Sequence, residues 1–306
     1  MQVNSMYTIR PTLSRIFAAV CLGSLLLQGC GGNDSGQSAG ETSPGSAPTS
    51  RSPSDGEAPV ASTYQERDVI SENMPYAELD DELVYGYFVA PADMFEPLPA
   101  VIMIHEWWGL NDNVREQANR LAAAGYIVFA VDLFGGKTAT TPSGARELML
   151  TVVENPEAAN ENLLSAYRFV SETAGAPAVA ALGWRFGGSW SLNTAMLLPD
   201  ELDAVVIYYG QVGADEEKLL PVNVPILGLF AADDISIKSA SVEAFRNTLE
   251  RLRKDYEIQI YDGVRQGFAN EDATNFDRNA AADAWQRSLS FLQRHLAGES
   301  EATDTP

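Results

Sequence analysis

Ala100-Val101-Ile102-Met103-Ile104-His105-Glu106-Trp107-Trp108-Gly109-Leu110 opens with five apolar residues in a row and then turns abruptly polar and aromatic. A short apolar run without alternation predicts a strand buried on both faces, as in a parallel sheet. Outward from it, Asp112 to Ala124 has helical spacing with Gly125 as its stop, and Tyr126 to Val131 is the next apolar run. Val84 to Ala90 reads as an earlier strand. Further along, Val179–Leu182, Ala204–Tyr209, Ile226–Phe230 and Tyr256–Tyr261 read as strands. Pro156–Thr173, Gly187–Leu198, Ser241–Arg253 and Asn279–Ala297 read as helices. Such alternation predicts an α/β fold, a mostly parallel central sheet with helices on both faces. Function in such sheets sits in the loops after the carboxyl ends of the strands.

Composition narrows the function classes. The 306 residues carry 20 Lys and Arg against 42 Asp and Glu, a formal net charge of −22. This acid excess excludes nucleic acid and anionic membrane surfaces as partners held by bulk charge. Two Cys and two His make a Cys/His zinc site implausible, so no metal and no cofactor is expected.

The N-terminus reads as an address. Arg10 and Arg15 precede the 12-residue apolar run Ile16–Leu27, too short for a membrane span of about 20 residues and of the right length for a secretory signal. Leu27-Gln28-Gly29-Cys30 resembles a bacterial lipobox, which implies cleavage before Cys30 and lipid on its thiol. Residues 1–29 are then a lipoprotein signal and residues 30–63, rich in Gly, Ser, Pro and Thr, a disordered tether. A flexible coil of that length reaches about 30 Å. Residues 64–298 form the α/β domain, and residues 299–306 a disordered tail. The expected location is the cell envelope, with a lipid anchor as the membrane contact. Gly31, where an inner-membrane retention signal has Asp, points to the outer membrane of a Gram-negative cell.

The loops after the strands are His105-Glu106-Trp107-Trp108-Gly109-Leu110, Asp132-Leu133-Phe134-Gly135-Gly136, Gly183-Trp184-Arg185-Phe186-Gly187-Gly188, Ala231-Ala232-Asp233-Asp234 and Gly263-Val264-Arg265-Gln266-Gly267-Phe268-Ala269-Asn270. In this order, over nearly all of residues 80–297, they resemble the dienelactone hydrolase family of the α/β-hydrolase superfamily. That resemblance implies a nucleophile elbow at Gly183–Gly187, with backbone oxyanion donors at Phe186 and Trp107. It also implies that Asp234 orients a base and that Glu106 contacts the resting nucleophile.

Two positions depart from the family. The elbow carries Arg185 where members have Cys or sometimes Ser, and a guanidinium stays protonated and cannot attack a carbonyl. Gln266 stands where the family has its general-base His, and an amide cannot take a proton near neutral pH. The ligand pocket implied is Glu106, Trp107, Arg185, Phe186, Asp234 and Gln266. Arg185 is expected to pair with Glu106, Asp234 or both, since a lone buried charge is costly.

The remaining candidates read as structural. Alternation at the strand end turns His105 away from the Glu106 side chain. His295 suits a helix C-terminus. Ser189 lacks a base. Asp233-Asp234 has no third metal ligand at recognisable spacing. Trp107, Trp108 and Trp184 suit a pocket wall or a core equally. Three functional classes stay open. One is a domain without the family reaction that binds a ligand or partner in the old pocket, where Arg185 suits a small carboxylate, or acts structurally at the envelope. Another is an ester or lactone hydrolase using water placed by Glu106 or Gln266. The third is an envelope domain without a ligand.

Overall fold

The computed structural model describes residues 67–79 and 81–297. The signal, Cys30 with its tether, and the tail lie outside the described residues, as do residues 64–66, 80 and 298 of the domain. The strands are β1 (Val69–Leu79), β2 (Glu82–Pro91), β3 (Ala100–Ile104), β4 (Ile127–Val131), β5 (Val179–Trp184), β6 (Ala204–Tyr208), β7 (Ile226–Ala231) and β8 (Tyr256–Tyr261). They form one sheet in the order β1-β2-β4-β3-β5-β6-β7-β8. From β4 to β8 all neighbours are parallel. β2 runs antiparallel to β4, and β1 antiparallel to β2. The helices are α1 (Asp112–Ala123), α2 (Pro142–Glu154), α3 (Pro156–Arg168), α4 (Phe186–Leu197), α5 (Glu216–Leu219), α6 (Ser239–Arg251) and α7 (Arg278–Leu296).

The apolar run at Ala100 behaves as its composition requires. All five residues of β3 are fully buried, and fully burying a side chain such as Ile102 or Met103 stabilises the fold by about 1.5–3 kcal/mol. Val101 and Met103 join Leu121 of α1 and Leu289 of α7 in one apolar cluster. Strand alternation sends Ile102 and Ile104 to the opposite face, where they are equally buried, so both faces are covered. Helix starts follow their caps. The Asn111 side chain accepts from the Val114 N–H, and Asp277 accepts from the Asn279 and Ala280 N–H groups.

The structure adds to the sequence reading at four places. β1 has a polar exposed half, contains Pro75 and is bulged between Pro75 and Ala77, so its apolar signal is diluted as edge strands allow. α2 buries only Ala145 and Val152, too few to show a helical stripe. α5 is a single turn of four residues. The helix expected over Pro156–Thr173 is α-helical to Arg168 and closes in a π-turn over Phe169–Thr173.

The chain leaves β3 for β4 on one side and later returns to β5 on the other. The crevice beyond the carboxyl ends of β3 and β5 is therefore the topological switch point. Glu106 follows β3 and Arg185 follows β5.

Candidate functional site

The turn from β5 into α4 is built by glycines. A Cβ at Gly187 would lie 2.1 Å from the Ile104 carbonyl oxygen and 2.6 Å from that of His105, and one at Gly183 would lie 2.4 Å from the Gly187 carbonyl. Only glycine lets α4 start this close to β3 and β5. Between them Arg185 adopts φ 51°, ψ −109°, a left-handed conformation unfavourable for a residue with a Cβ. Its N–H donates to the Tyr208 carbonyl at 2.9 Å, which fixes the strained turn to β6. Phe186 opens α4, where a backbone N–H has no acceptor within the helix.

The Arg185 guanidinium lies over the Trp107 ring, 4.1 Å from its centroid. Among the described residues no ion pair within 4.0 Å joins it to Glu106 or Asp234. The expected direct pairing is thus replaced by a cation–π contact. Both carboxylates have other commitments. Glu106 Oε2 accepts from Asn270 Nδ2 at 3.1 Å. Asp234 Oδ1 accepts from the Ser236 and Ile237 N–H groups at 2.7 and 2.9 Å. The Glu106 carboxyl is nevertheless sensitive to Arg185. Burial pushes its pKa up, and the Asn270 hydrogen bond, the Arg185 charge and the Tyr209 hydroxyl offset part of that rise.

Three buried side-chain polar atoms among the described residues have no hydrogen-bond partner: Trp107 Nε1, the Tyr209 hydroxyl and Asp234 Oδ2. All three belong to residues at the carboxyl ends of β3, β6 and β7. Tyr209 is fully buried, with φ 37°. Its phenol lies near enough to Glu106 for burial and that carboxyl to push its pKa up, without the geometry closing into a hydrogen bond. Gln266 is part-buried, and its amide reaches the Tyr209 carbonyl at 3.4 Å.

The other candidates make contacts within the fold. Leu133 N–H donates to His105 Nε2 at 3.1 Å, so that nitrogen carries no proton and Nδ1–H donates to the Glu106 carbonyl at 2.6 Å. Burial pulls the pKa of this imidazole down, in keeping with a neutral ring. Ser189 donates to the Arg185 carbonyl and accepts from the Gln211 N–H at 2.7 Å, clasping the elbow from behind. His295 stands in the last turn of α7 against Phe291, 4.5 Å between ring centres. Trp184 is core, and Trp108 packs edge-on against Trp107. Among the described residues no cluster of His, Cys, Asp or Glu can hold a metal.

Sequence reasoning passed over two residues. Asn270 lay inside the quoted Gly263–Asn270 segment, but only the tertiary structure brings it to Glu106. Tyr209 ends the β6 run, and its position at a strand's carboxyl end was the available signal.

These features have counterparts in known proteins. The dienelactone hydrolase family profile matches residues 84–296. A protein of Saccharolobus solfataricus, provisionally named a carboxymethylenebutenolidase, is 28% identical over 256 residues, covering 72% of this chain and 97% of its own. Protein usf of Aquifex pyrophilus is 31% identical over 209 residues, 65% of this chain and 89% of its own. A solved structure from Klebsiella pneumoniae, provisionally named a dienelactone hydrolase, superposes with a TM-score of 0.65 at 24% identity, over 74% of this chain and 100% of that one. Sheet order, glycine-built elbow and profile together make this chain a member of the dienelactone hydrolase family.

Proposed function

We propose that this chain is a dienelactone hydrolase-family domain that no longer hydrolyses esters and instead binds a small carboxylate at the elbow. The observation that carries the reading is Arg185. It holds the strained elbow position, stacks on Trp107 and, among the described residues, forms no ion pair with an acid, which leaves its N–H fork for a ligand carboxylate. Neither Arg185 nor Gln266 can supply a nucleophile or a base. The lipobox-like Leu27–Cys30 and the following polar stretch support a lipid-tethered location in the cell envelope, at the outer membrane of a Gram-negative cell.

The test is a turnover assay on the purified protein with a small activated ester, alongside a thermal-shift titration with acetate and propionate. The expected outcome is no turnover above background and a rise in Tm with the acids. Turnover that survives repurification, together with no shift, overturns the reading. A second reading rests on one observation, the buried Glu106 carboxyl with its raised pKa beside the Tyr209 phenol. A carboxyl so tuned can take a proton from water during ester hydrolysis. Loss of turnover in Glu106→Gln distinguishes it.

A further inference from the structure

A cavity of about 360 Å³ opens between the β1–β2 hairpin, the loop after β4, and helices α2 and α3. None of its lining residues belongs to the elbow site. Much of its wall is apolar, with Leu79, Leu83 and Tyr85 from the hairpin and Val152 from α2. Leu83 is 57% exposed and Tyr85 50%, so the hairpin leaves large side chains uncovered here.

Asp132, which follows β4, gives the cavity its buried charge. Its side chain is 8% exposed. Oδ1 accepts from the Phe134 N–H at 2.8 Å, and Oδ2 accepts from the N–H of Gly136, which also lines the cavity. These bonds hold the carboxylate in place without filling it, since a carboxylate has sites for about four donors. No cation answers it. Its one ion-pair contact among the described residues is His105 Nε2 at 3.9 Å. That nitrogen carries no proton, because it accepts from the Leu133 N–H. Among the described residues that line the cavity there is no Lys, Arg or His, and the other acid is the exposed Glu82. A buried charge without a countercharge is costly. Asn162, beside Asp132, is already committed. Its amide donates to the Asp132 carbonyl at 3.0 Å, and its Oδ1 accepts from the Tyr76 hydroxyl at 2.6 Å. The polar end of the cavity is therefore preformed, and what it lacks is one positive charge. A metal ion does not fit, since no cluster of His, Cys, Asp or Glu among the described residues can hold one.

From this we infer that the cavity is a binding site in its own right, for a small organic ammonium with an apolar body. The ammonium donates to Asp132, and the body packs on Leu83, Tyr85 and Val152. Ligand sites span about 300–1,000 Å³, and a cavity at the small end of that range suits an amine with a single ring or a short chain. The inference goes beyond the carboxylate reading of the elbow and does not depend on it.

Calorimetric titration of the full-length protein at pH 7 with phenethylamine and its neutral analogue 2-phenylethanol tests it. The two share a body and differ at the polar end. The amine is expected to bind about tenfold or more tighter, as one hydrogen bond to a charged group allows. Ala158 lines the cavity from an exposed position on α3. Ala158→Trp therefore blocks the cavity without touching the core, and is expected to abolish binding of both. Arg185→Gln is expected to leave both affinities unchanged. Asp132→Asn is expected to erase the margin between them. Equal affinity for amine and alcohol, or no binding of the amine, overturns the inference. Amine binding that survives Ala158→Trp, or that is lost in Arg185→Gln, also overturns it. So does a margin that persists in Asp132→Asn. Asp132 also holds the loop after β4, and if its variant folds poorly the comparison of the two ligands on the unmodified protein decides alone.

Discussion

The proposed function turns on Arg185 and Gln266, so the sharpest tests are substitutions at these two positions. Arg185→Cys supplies a thiol without a base, and Gln266→His supplies a base with nothing to deprotonate. The double variant supplies both beside Asp234, whose Oδ2 has no hydrogen-bond partner in the unmodified protein. Residues of such a set act as a unit. Esterase activity in the double variant is therefore expected to exceed either single by about a hundredfold or more, within the usual contribution of a general base. A double variant no better than its better single contradicts this. Glu106 makes a separate prediction. Its pKa is raised in the fold, chiefly by burial, so the folded protein holds this proton more tightly than the unfolded chain. Ionised Glu106 therefore weakens the fold, fully above the folded pKa and not at all below the ordinary value of 4.5. Glu106→Gln, which keeps an acceptor for Asn270, is expected to raise Tm at pH 7, with the gain shrinking as pH falls toward 4.5. A gain that grows in acid contradicts the assignment.

At the scale of elements, the β5–α4 turn works because backbone meets backbone. A Cβ at Gly187 collides with two carbonyl oxygens of the β3 end, neither of which is a flexible side chain that can swing away. Gly187→Ala is expected to destabilise the protein by about 3 kcal/mol or more, the upper range for overpacking. Gly213→Ala meets nothing within 4 Å and is expected to stay within about 0.5 kcal/mol of the parent. Urea denaturation of both variants measures the contrast, and similar midpoints contradict it. His105 is the other joint. Its ring ties the end of β3 to the loop after β4 through Leu133 N–H. Most elements around this joint were legible from apolar runs, because strands buried on both faces cannot tolerate polar residues. β1 and α2 were not, since each buries one narrow side and leaves the rest to solvent.

For the whole molecule, the proposed lipid-tethered location sets a demand that charge constrains. A chain with net charge −22 is repelled by anionic lipid, so the proposed membrane association would rest on the anchor and not on the domain surface. The wild-type protein is expected to incorporate labelled fatty acid and to sediment with membranes. Cys30→Ala is expected to lose the label and to leave the membrane fraction or remain unprocessed. Wild-type protein found free of lipid in the soluble fraction contradicts the lipobox reading.

The sequence by itself determined the fold class and the family, and it set Arg185 between Gly183 and Gly187 and Gln266 before Gly267. Apolar periodicity, glycine spacing and residue identity are local properties and survive without coordinates. Only the tertiary structure decided the partners. Arg185 looked bound for a carboxylate by charge alone, yet its guanidinium lies on Trp107. Asn270 and Tyr209 reach Glu106 from 164 and 103 residues away in sequence. The orphaned atoms of Trp107, Tyr209 and Asp234 are likewise invisible in a string of letters. Whether a polar atom is satisfied depends on every other strand end that crowds the same crevice.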